Sequence, residues 1–443
     1  MKPMNYNEAL EKINALMLFG SRPGLDRIST LLQMMGNPQE KLRFVHIAGT
    51  NGKGSTSKMI STVLQKSGYK TGLFISPYVI DFRERMQING IMISKEDLSH
   101  CVEETCPLLE QLKNDGIIIT EFEYITALAF KWYAENCCDI VVLETGMGGL
   151  LDSTNVIENT LVSVITSISY DHTAILGSTL EEIAVQKCGI IKKNSSTVYY
   201  RQNDICDEVI EYTCNKMNNT VYYADTLNLP TLEQNIEYTK MSYHDKPLII
   251  RLIGTHQIKN AKTALTALEI LKNTHHFSIS QQDITDGMFS AAMPARLELI
   301  GKDPIVLIDG AHNPDGMNAL ANAIKQYLPN KKIICIMGML KDKDSNSSLE
   351  YLDGLIDSVI TLEPDNPRKQ TSEELAEKAV KFFDKVYPME NFTKAIDKAL
   401  DMAEEDNGAV VICGSLYLAS QLRPLVARCL KKRGRPILSD IQE

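Results

Sequence analysis

The chain of 443 residues has no apolar run of the roughly 18 residues that a membrane-crossing helix needs, so no segment reads as a transmembrane span. Its N-terminus lacks a charged stretch followed by an apolar one, which argues against a secretory leader and makes a cytoplasmic protein the expectation. Basic residues are not in excess: 46 Lys and Arg stand against 56 Asp and Glu, a formal charge of −10. That balance excludes a general nucleic-acid surface, so neither nucleic acid nor membrane is expected as a partner. The ten cysteines, at 101, 106, 137, 138, 188, 206, 214, 335, 413 and 429, lack metal-ligand spacing. Cys137 and Cys138 are adjacent and pair poorly, so the set reads as reduced core thiols. There is no internal repeat and no low-complexity tract. What remains, 44% hydrophobic and 23% charged, is a soluble globular chain too long for one core.

The most informative stretch is Leu42 to Thr56, LRFVHIAGTNGKGST, which reads as a buried strand, a glycine-rich turn and a helix start. Glycines let successive backbone N–H groups approach one anion, and a helix over Lys53–Lys66 adds the positive end of its dipole. Lys53 then reaches terminal phosphates as a point charge. Gly54 stands where a Walker loop places its magnesium-binding hydroxyl, so that hydroxyl must come from elsewhere or from Ser55.

Two helices precede this strand, over about Asn5 to Phe19 and from Gly24-Leu25-Asp26 to Gly36-Asn37-Pro38. Lys70 to Ile75 reads as the next strand and ends in Ser76-Pro77-Tyr78, and Met86 to Ile93 reads as a hairpin turning at Asn89-Gly90. Ser94 and Thr179 each begin a capping-box pattern. Glu121–Glu135 is apolar at helical spacing, and Asp139–Glu144 and Leu161–Thr166 are continuous apolar strands of the parallel-sheet kind. Ligands bind at the carboxyl edge of such sheets. Lys53, Ser76, Glu144 and His172 are thereby expected to converge on a magnesium nucleotide site. Singly, each residue has a plainer reading: Ser76 as a turn residue, Glu144 as an ion-paired strand end, His172 as a loop histidine.

Residues 196–250 are the least informative, with β-like runs at Thr197–Tyr200 and Pro247–Ile250. An alanine-rich helix follows Gly254 to about Lys272. Beyond Arg296, strands at 304–309, 332–337, 357–362 and 409–413 alternate with helical spacing, which predicts a separate doubly wound domain. The expected division is 1–295 and 296–443, with a site that closes between the two. Asp309-Gly310-Ala311-His312-Asn313-Pro314 ends the first strand of the second domain, where Asp309 suits ribose hydroxyls and His312 or Arg296 suits phosphate. Asn313 and Pro314 also form an ordinary helix start.

Across nearly its whole length, the chain resembles the folylpolyglutamate synthase family of the Mur ligase superfamily, commonly bifunctional with dihydrofolate synthase. The matching pieces are GLDRI at 24–28, AGTNGKGST, SPYVIDFRERMQING, TEFE at 120–123, ETGMGGLLDSTNV at 144–156, DHTAILG, QKCGIIK, HQIKNA, PARLE, DGAHNPDG and GSLYL. The resemblance implies an α/β protein with an N-terminal P-loop ATPase domain and a C-terminal Rossmann-like glutamate ligase domain. It implies an ATP- and Mg2+-dependent enzyme, active as a monomer, that adds L-glutamate to a reduced folate, or to dihydropteroate, through an acyl phosphate.

Carried over residue by residue, Asn51, Gly52, Lys53, Gly54 and Ser55 hold phosphates, while Ser76, Glu144 and His172 are the magnesium ligands. Asn260, Arg296, Asp309 and His312 lie at the nucleotide. Thr120, Glu121, Phe122 and Glu123, with Leu151, Asp152 and Ser153, match pterin-binding positions. Lys187 matches a lysine that is carbamylated in the family, and together with Lys53, Glu144 and His172 it completes the catalytic set. The chain departs from the pattern at Leu150, where arginine is usual, at Tyr78, where histidine is common, and at Ala295, where glycine is usual. Alternatives are a polyglutamate synthase without the dihydropteroate reaction or another Mur-type carboxylate-amine ligase. A peptidoglycan ligase would carry a uridine-nucleotide domain ahead of the loop, and a nucleotide-controlled switch gives no reason for Glu144, His172 and Lys187 to occur together.

Overall fold

The structure is a computed structural model and describes residues 3–19 and 23–438. It divides into two compact units, one formed by Met1–Leu229 with Lys259–Ala291, the other by Pro230–Ile258 with Ala292–Glu443.

The first unit is built on an eight-stranded sheet of β1 (Phe44–Ala48), β2 (Thr71–Phe74), β3 (Met86–Ile88), β4 (Ile91–Met92), β5 (Ile140–Glu144), β6 (Thr160–Ile165), β7 (Ser196–Tyr199) and β8 (Thr220–Tyr223). Their order is β4-β3-β2-β5-β1-β6-β7-β8. From β2 to β8 the neighbours run parallel, and β3 and β4 add an antiparallel edge. β1 lies between β5 and β6 and is buried along its whole length, as a continuous apolar run in a covered parallel sheet should be. The hairpin turns where expected: Ile88 pairs with Ile91, and Asn89 and Gly90 both take positive φ, 51° and 76°, as a type I′ turn requires.

Helices Lys53–Lys66 and Glu121–Glu135 occupy the expected spans. Thr179 forms the reciprocal capping box with Glu182 that opens Leu180–Cys188, and Ser94 accepts from the Asp97 N–H at the start of Lys95–Asn114. Helix Glu121–Glu135 is buried through most of its length, with Tyr133 donating its hydroxyl to the Leu73 carbonyl at 2.6 Å. The ten cysteines are free thiols, but one expectation is corrected: Cys137 is exposed, in a left-handed turn after the helix rather than in the core.

The second unit begins with a three-stranded antiparallel sheet, β9 (Thr231–Gln234), β10 (Thr239–Tyr243) and β11 (Lys246–Ile250). Its larger sheet contains β12 (Glu298–Lys302), β13 (Ile305–Ile308), β14 (Ile333–Met337), β15 (Ser358–Thr361), β16 (Val386–Pro388) and β17 (Ala409–Cys413), in the order β12-β13-β17-β14-β15-β16. All neighbours except the β12–β13 pair are parallel, giving the doubly wound sheet that the alternating pattern predicts. β12 and β16 are edge strands additional to the four expected.

Candidate active site

In the first unit the glycine loop leaves β1 and enters helix Lys53–Lys66 at Gly52, whose φ is 85° and which provides no side-chain cap for the first turn. The backbone donors of that turn therefore face the mouth of the loop. Only glycine fits here for a second reason: a Cβ on Gly52 would stand 2.4 Å from Asn260 Oδ1. Asn260 is thus packed on the loop. Lys53 folds back so that Nζ donates to the Gly49 and Thr50 carbonyls, both at 3.1 Å. Across the loop, the Thr50 hydroxyl donates to the Ser169 carbonyl and Ser167 Oγ donates to the Asn51 carbonyl, so the segment after β6 braces it.

Glu144 ends β5 and is 4% exposed. Its Oε2 accepts the Ser76 N–H at 3.3 Å, while Ser76 Oγ accepts from Arg85 Nη1 at 3.1 Å. Ser76 and Glu144 are therefore brought together, and a hydroxyl beside a buried carboxylate is an oxygen set of the kind a hard cation takes. His172 sits at φ 50° ahead of the short helix Thr173–Leu176, its side chain 41% exposed and Nε2 3.9 Å from Asp171 Oδ1. Among the described residues no three His, Cys, Asp or Glu side chains form a group able to hold a metal. Lys187 is 3% exposed in helix Leu180–Cys188. Burial first, and the Lys53 charge second, lower its pKa from 10.5 to about 7.

Thr120 caps helix Glu121–Glu135 in a reciprocal box with Glu123, whose carboxylate also pairs with Arg27 at 2.9 Å. Glu121 is half-buried, its desolvation raises its pKa, and its carboxylate lies 3.7 Å from Arg85. Phe122 lies against the loop after β5 so closely that a Cβ on Gly146 would meet its ring at 2.5 Å. In that loop Asp152 accepts from the Met147 N–H at 2.8 Å and from the Thr154 N–H and hydroxyl at 3.0 and 2.6 Å. Ser153 is buried beside it, and Leu151 is exposed.

In the second unit Asp309 follows β13. Its two carboxylate oxygens accept from the Leu297 and Ala311 N–H groups, each at 2.7 Å. Its local role is to pin the turn around Arg296 to the strand end. A Cβ on Gly310 would approach Arg296 Nη1 to 3.0 Å, so Arg296 crosses the same turn. His312 Nδ1 lies 2.8 Å from the Gly310 carbonyl and must carry a hydrogen, since that oxygen only accepts. Asn313 caps the helix that starts at Pro314.

The Mur ligase middle domain matches residues 47–268 and the Mur ligase glutamate ligase domain matches residues 295–416. A dihydrofolate synthase/folylpolyglutamate synthase of Bacillus subtilis is 37% identical over 94% of this chain and 98% of its own length. This chain belongs to the dihydrofolate synthase/folylpolyglutamate synthase family of Mur ligases. A folylpolyglutamate synthase of Lacticaseibacillus casei is 32% identical over 95% of this chain and 98% of its own. The structure of Mycobacterium tuberculosis folylpolyglutamate synthase complexed with ADP and AMPPCP superposes with a TM-score of 0.86 at 31% identity, covering 96% of this chain and 99% of that one. Escherichia coli FolC in complex with DHPP and ADP gives 0.83 at 26% identity, covering 96% and 98%.

Against the family pattern, Leu150 is 41% exposed at the loop tip, so the missing arginine leaves no hole in the packing. Sequence reading missed Arg85, which is buried between Ser76, Glu121 and the rings of Tyr78 and Phe82. It also missed Arg423, which binds both oxygens of Glu298 at 2.7 to 3.0 Å. Both arginines look like solvated charges in a one-dimensional pattern. Only the contact partners, far away in sequence, distinguish them.

Proposed function

We propose that this chain is an ATP-dependent ligase that joins L-glutamate to reduced folates, and to dihydropteroate to give dihydrofolate, through an acyl phosphate. The observation that supports the reading most, in a chain of this family, is that the Lys53 charge acts on buried Lys187 while Glu144, bonded to the Ser76 N–H, ends the strand paired with β1. Transfer begins when an acceptor carboxylate oxygen attacks the terminal phosphorus of ATP and ADP leaves. Two anions must approach, so the site needs positive charge that strengthens as the bond forms. Lys53 supplies it by exchanging its two carbonyl contacts for phosphate oxygens, with Asn51, Gly52, Gly54 and Ser55 donating around it. Ser76 and Glu144, with His172 as the third group, would hold a magnesium ion, which would neutralise more of that repulsion.

The glutamate amine then attacks the acyl carbon and phosphate departs, leaving the amide. Lys187 acts as a carbamate. Its neutral amine adds carbon dioxide with loss of one proton and gains a carboxylate that helps organise the phosphate end. An amine that titrates near pH 7 keeps a large neutral fraction available for that step. Asn260, Arg296, Asp309 and His312 bind the nucleotide. Thr120, Glu121, Phe122, Glu123, Leu151, Asp152 and Ser153 face the pterin end. Residues 1–295 serve ATP and 296–443 glutamate ligation, in a monomer of the cytoplasm.

The test is glutamate-dependent phosphate release from ATP, run in parallel on dihydropteroate and tetrahydrofolate with product mass recorded. One glutamyl unit gained on both acceptors supports the bifunctional enzyme. A gain on tetrahydrofolate alone restricts it to polyglutamylation and points to Leu150. No product on either removes the folate assignment.

A further inference from the structure

β1 carries one polar side chain in an otherwise apolar run: His46, between Val45 and Ile47, is fully buried. A buried polar group needs partners, and this one has a partner on a single nitrogen. His46 Nε2 lies 2.8 Å from Thr154 Oγ1, and Nδ1 is buried without a hydrogen-bond partner. Thr154 is itself fully buried, and its hydroxyl donates to Asp152 Oδ1 at 2.6 Å. With the hydroxyl proton committed to the carboxylate, Thr154 Oγ1 can only accept from the ring, so Nε2 carries the hydrogen and Nδ1 is bare. A second proton at Nδ1 would face no acceptor. Burial, followed by the charge of Lys192, accordingly pushes the pKa of His46 down to about 3.

The chain of contacts continues beyond Asp152, whose other oxygen accepts the Met147 N–H at 2.8 Å. One end of the array is thus fixed in the strand that feeds the glycine loop, and the other holds the loop from Met147 to Ser153, in which Leu151 is exposed and Ser153 buried. Asp152 also caps the single turn Ser153–Val156.

We infer that His46 is a positioning residue for the acceptor: through Thr154 and Asp152, its Nε2–H holds the Met147–Ser153 loop in the register that binds the pterin end. This rests on the folate reading above. It adds a residue outside every motif that carries the family resemblance.

The experiment compares wild type, His46→Leu and His46→Gln for KM toward tetrahydrofolate, KM toward ATP and kcat, with thermal melting recorded for each. Leucine fills the space without a donor, whereas the glutamine amide nitrogen reaches the position of Nε2. The expected result is a tenfold or greater rise in acceptor KM for His46→Leu, an ATP KM within twofold of wild type, and recovery of most of the loss in His46→Gln. An equal loss toward both substrates, no change in acceptor KM, or glutamine behaving as leucine overturns the assignment. If His46→Leu does not fold, Thr154→Val removes the bridging hydroxyl and must show the same split. Nitrogen-15 spectra of histidine-labelled wild type give a second readout: His46, identified by its loss in His46→Gln, must remain the neutral Nε2–H tautomer between pH 5.5 and 8.5. A His46 that titrates in that range contradicts the hydrogen-bond chain. If wild type ligates no folate while the tautomer is as stated, the functional reading fails and the array stands.

Discussion

Replacing Lys187 by methionine should make the protein more stable and inactive. The amine is 3% exposed and its pKa is lowered from 10.5 to about 7, so holding it charged in the folded state is costly. At about 1.4 kcal/mol per pH unit, the displacement corresponds to roughly 5 kcal/mol between the acid and alkaline limits. Below pH 7 both folded and unfolded chains hold the proton and the full penalty is present. Between about pH 7 and 10.5 the unfolded chain keeps a proton that the folded one has lost, so this group's contribution to stability rises with pH. Methionine has similar length, carries no charge and removes that slope.

Chemical unfolding of wild type and Lys187→Met in carbon-dioxide-free buffer, at pH 7 and in steps toward pH 10, isolates the group as a difference curve. The variant is expected to be more stable at pH 7 by on the order of 4 kcal/mol, with the gap closing as pH rises. Adding bicarbonate at pH 8 should stabilise wild type alone, since only its amine can bind carbon dioxide. A variant no more stable than wild type at pH 7, or a gap independent of pH, would refute the reasoning.

Lys53→Ala and Glu144→Ala should each abolish ATP-dependent ligation while circular dichroism and melting remain those of a folded protein; unchanged turnover in either removes that residue from its role. Gly52→Ala places a side chain at φ 85° and 2.4 Å from Asn260 Oδ1, so at least a tenfold rise in ATP KM is expected, measured by nucleotide titration. Arg423→Met leaves Glu298 half of a broken ion pair whose side chains are only 6% and 12% exposed, and should cost about 3–5 kcal/mol in chemical unfolding. A loss below 1 kcal/mol would show that water reaches Glu298 freely.

Local features were the most legible. Asn89-Gly90 announced its turn because few other pairs accept two positive φ values, and Lys53–Lys66 was bounded by a glycine loop and Gly68. The buried parallel strands read directly as apolar runs. In the sheet of β9 to β11 the run Pro247–Ile250 marked β11, but β9 did not show, because Thr231, Leu232 and Glu233 are exposed and the strand has no apolar face to reveal it. β16 is three residues long and only partly covered.

The glycine loop, Glu144 and Lys187 were found from motif and order, yet what tunes them came from tertiary contact. The burial that lowers the Lys187 pKa, the Arg85 contact to Ser76 and the neutral tautomer of His46 depend on partners that the sequence does not mark. His46 in particular disappears into an apolar strand when read in one dimension. Asp309, singled out for ribose, also accepts from the Leu297 and Ala311 backbone, contacts that the sequence does not mark.

The most direct test of the central claim follows oxygen rather than protein. A reduced folate labelled with oxygen-18 in its terminal carboxylate is incubated with the enzyme, ATP, magnesium and L-glutamate, and the released phosphate is analysed by mass spectrometry. Activation through an acyl phosphate predicts one labelled oxygen in each phosphate formed with glutamylated product. Product accompanied by unlabelled phosphate would contradict carboxylate phosphorylation, and with it the roles given to Lys53, Glu144 and Lys187.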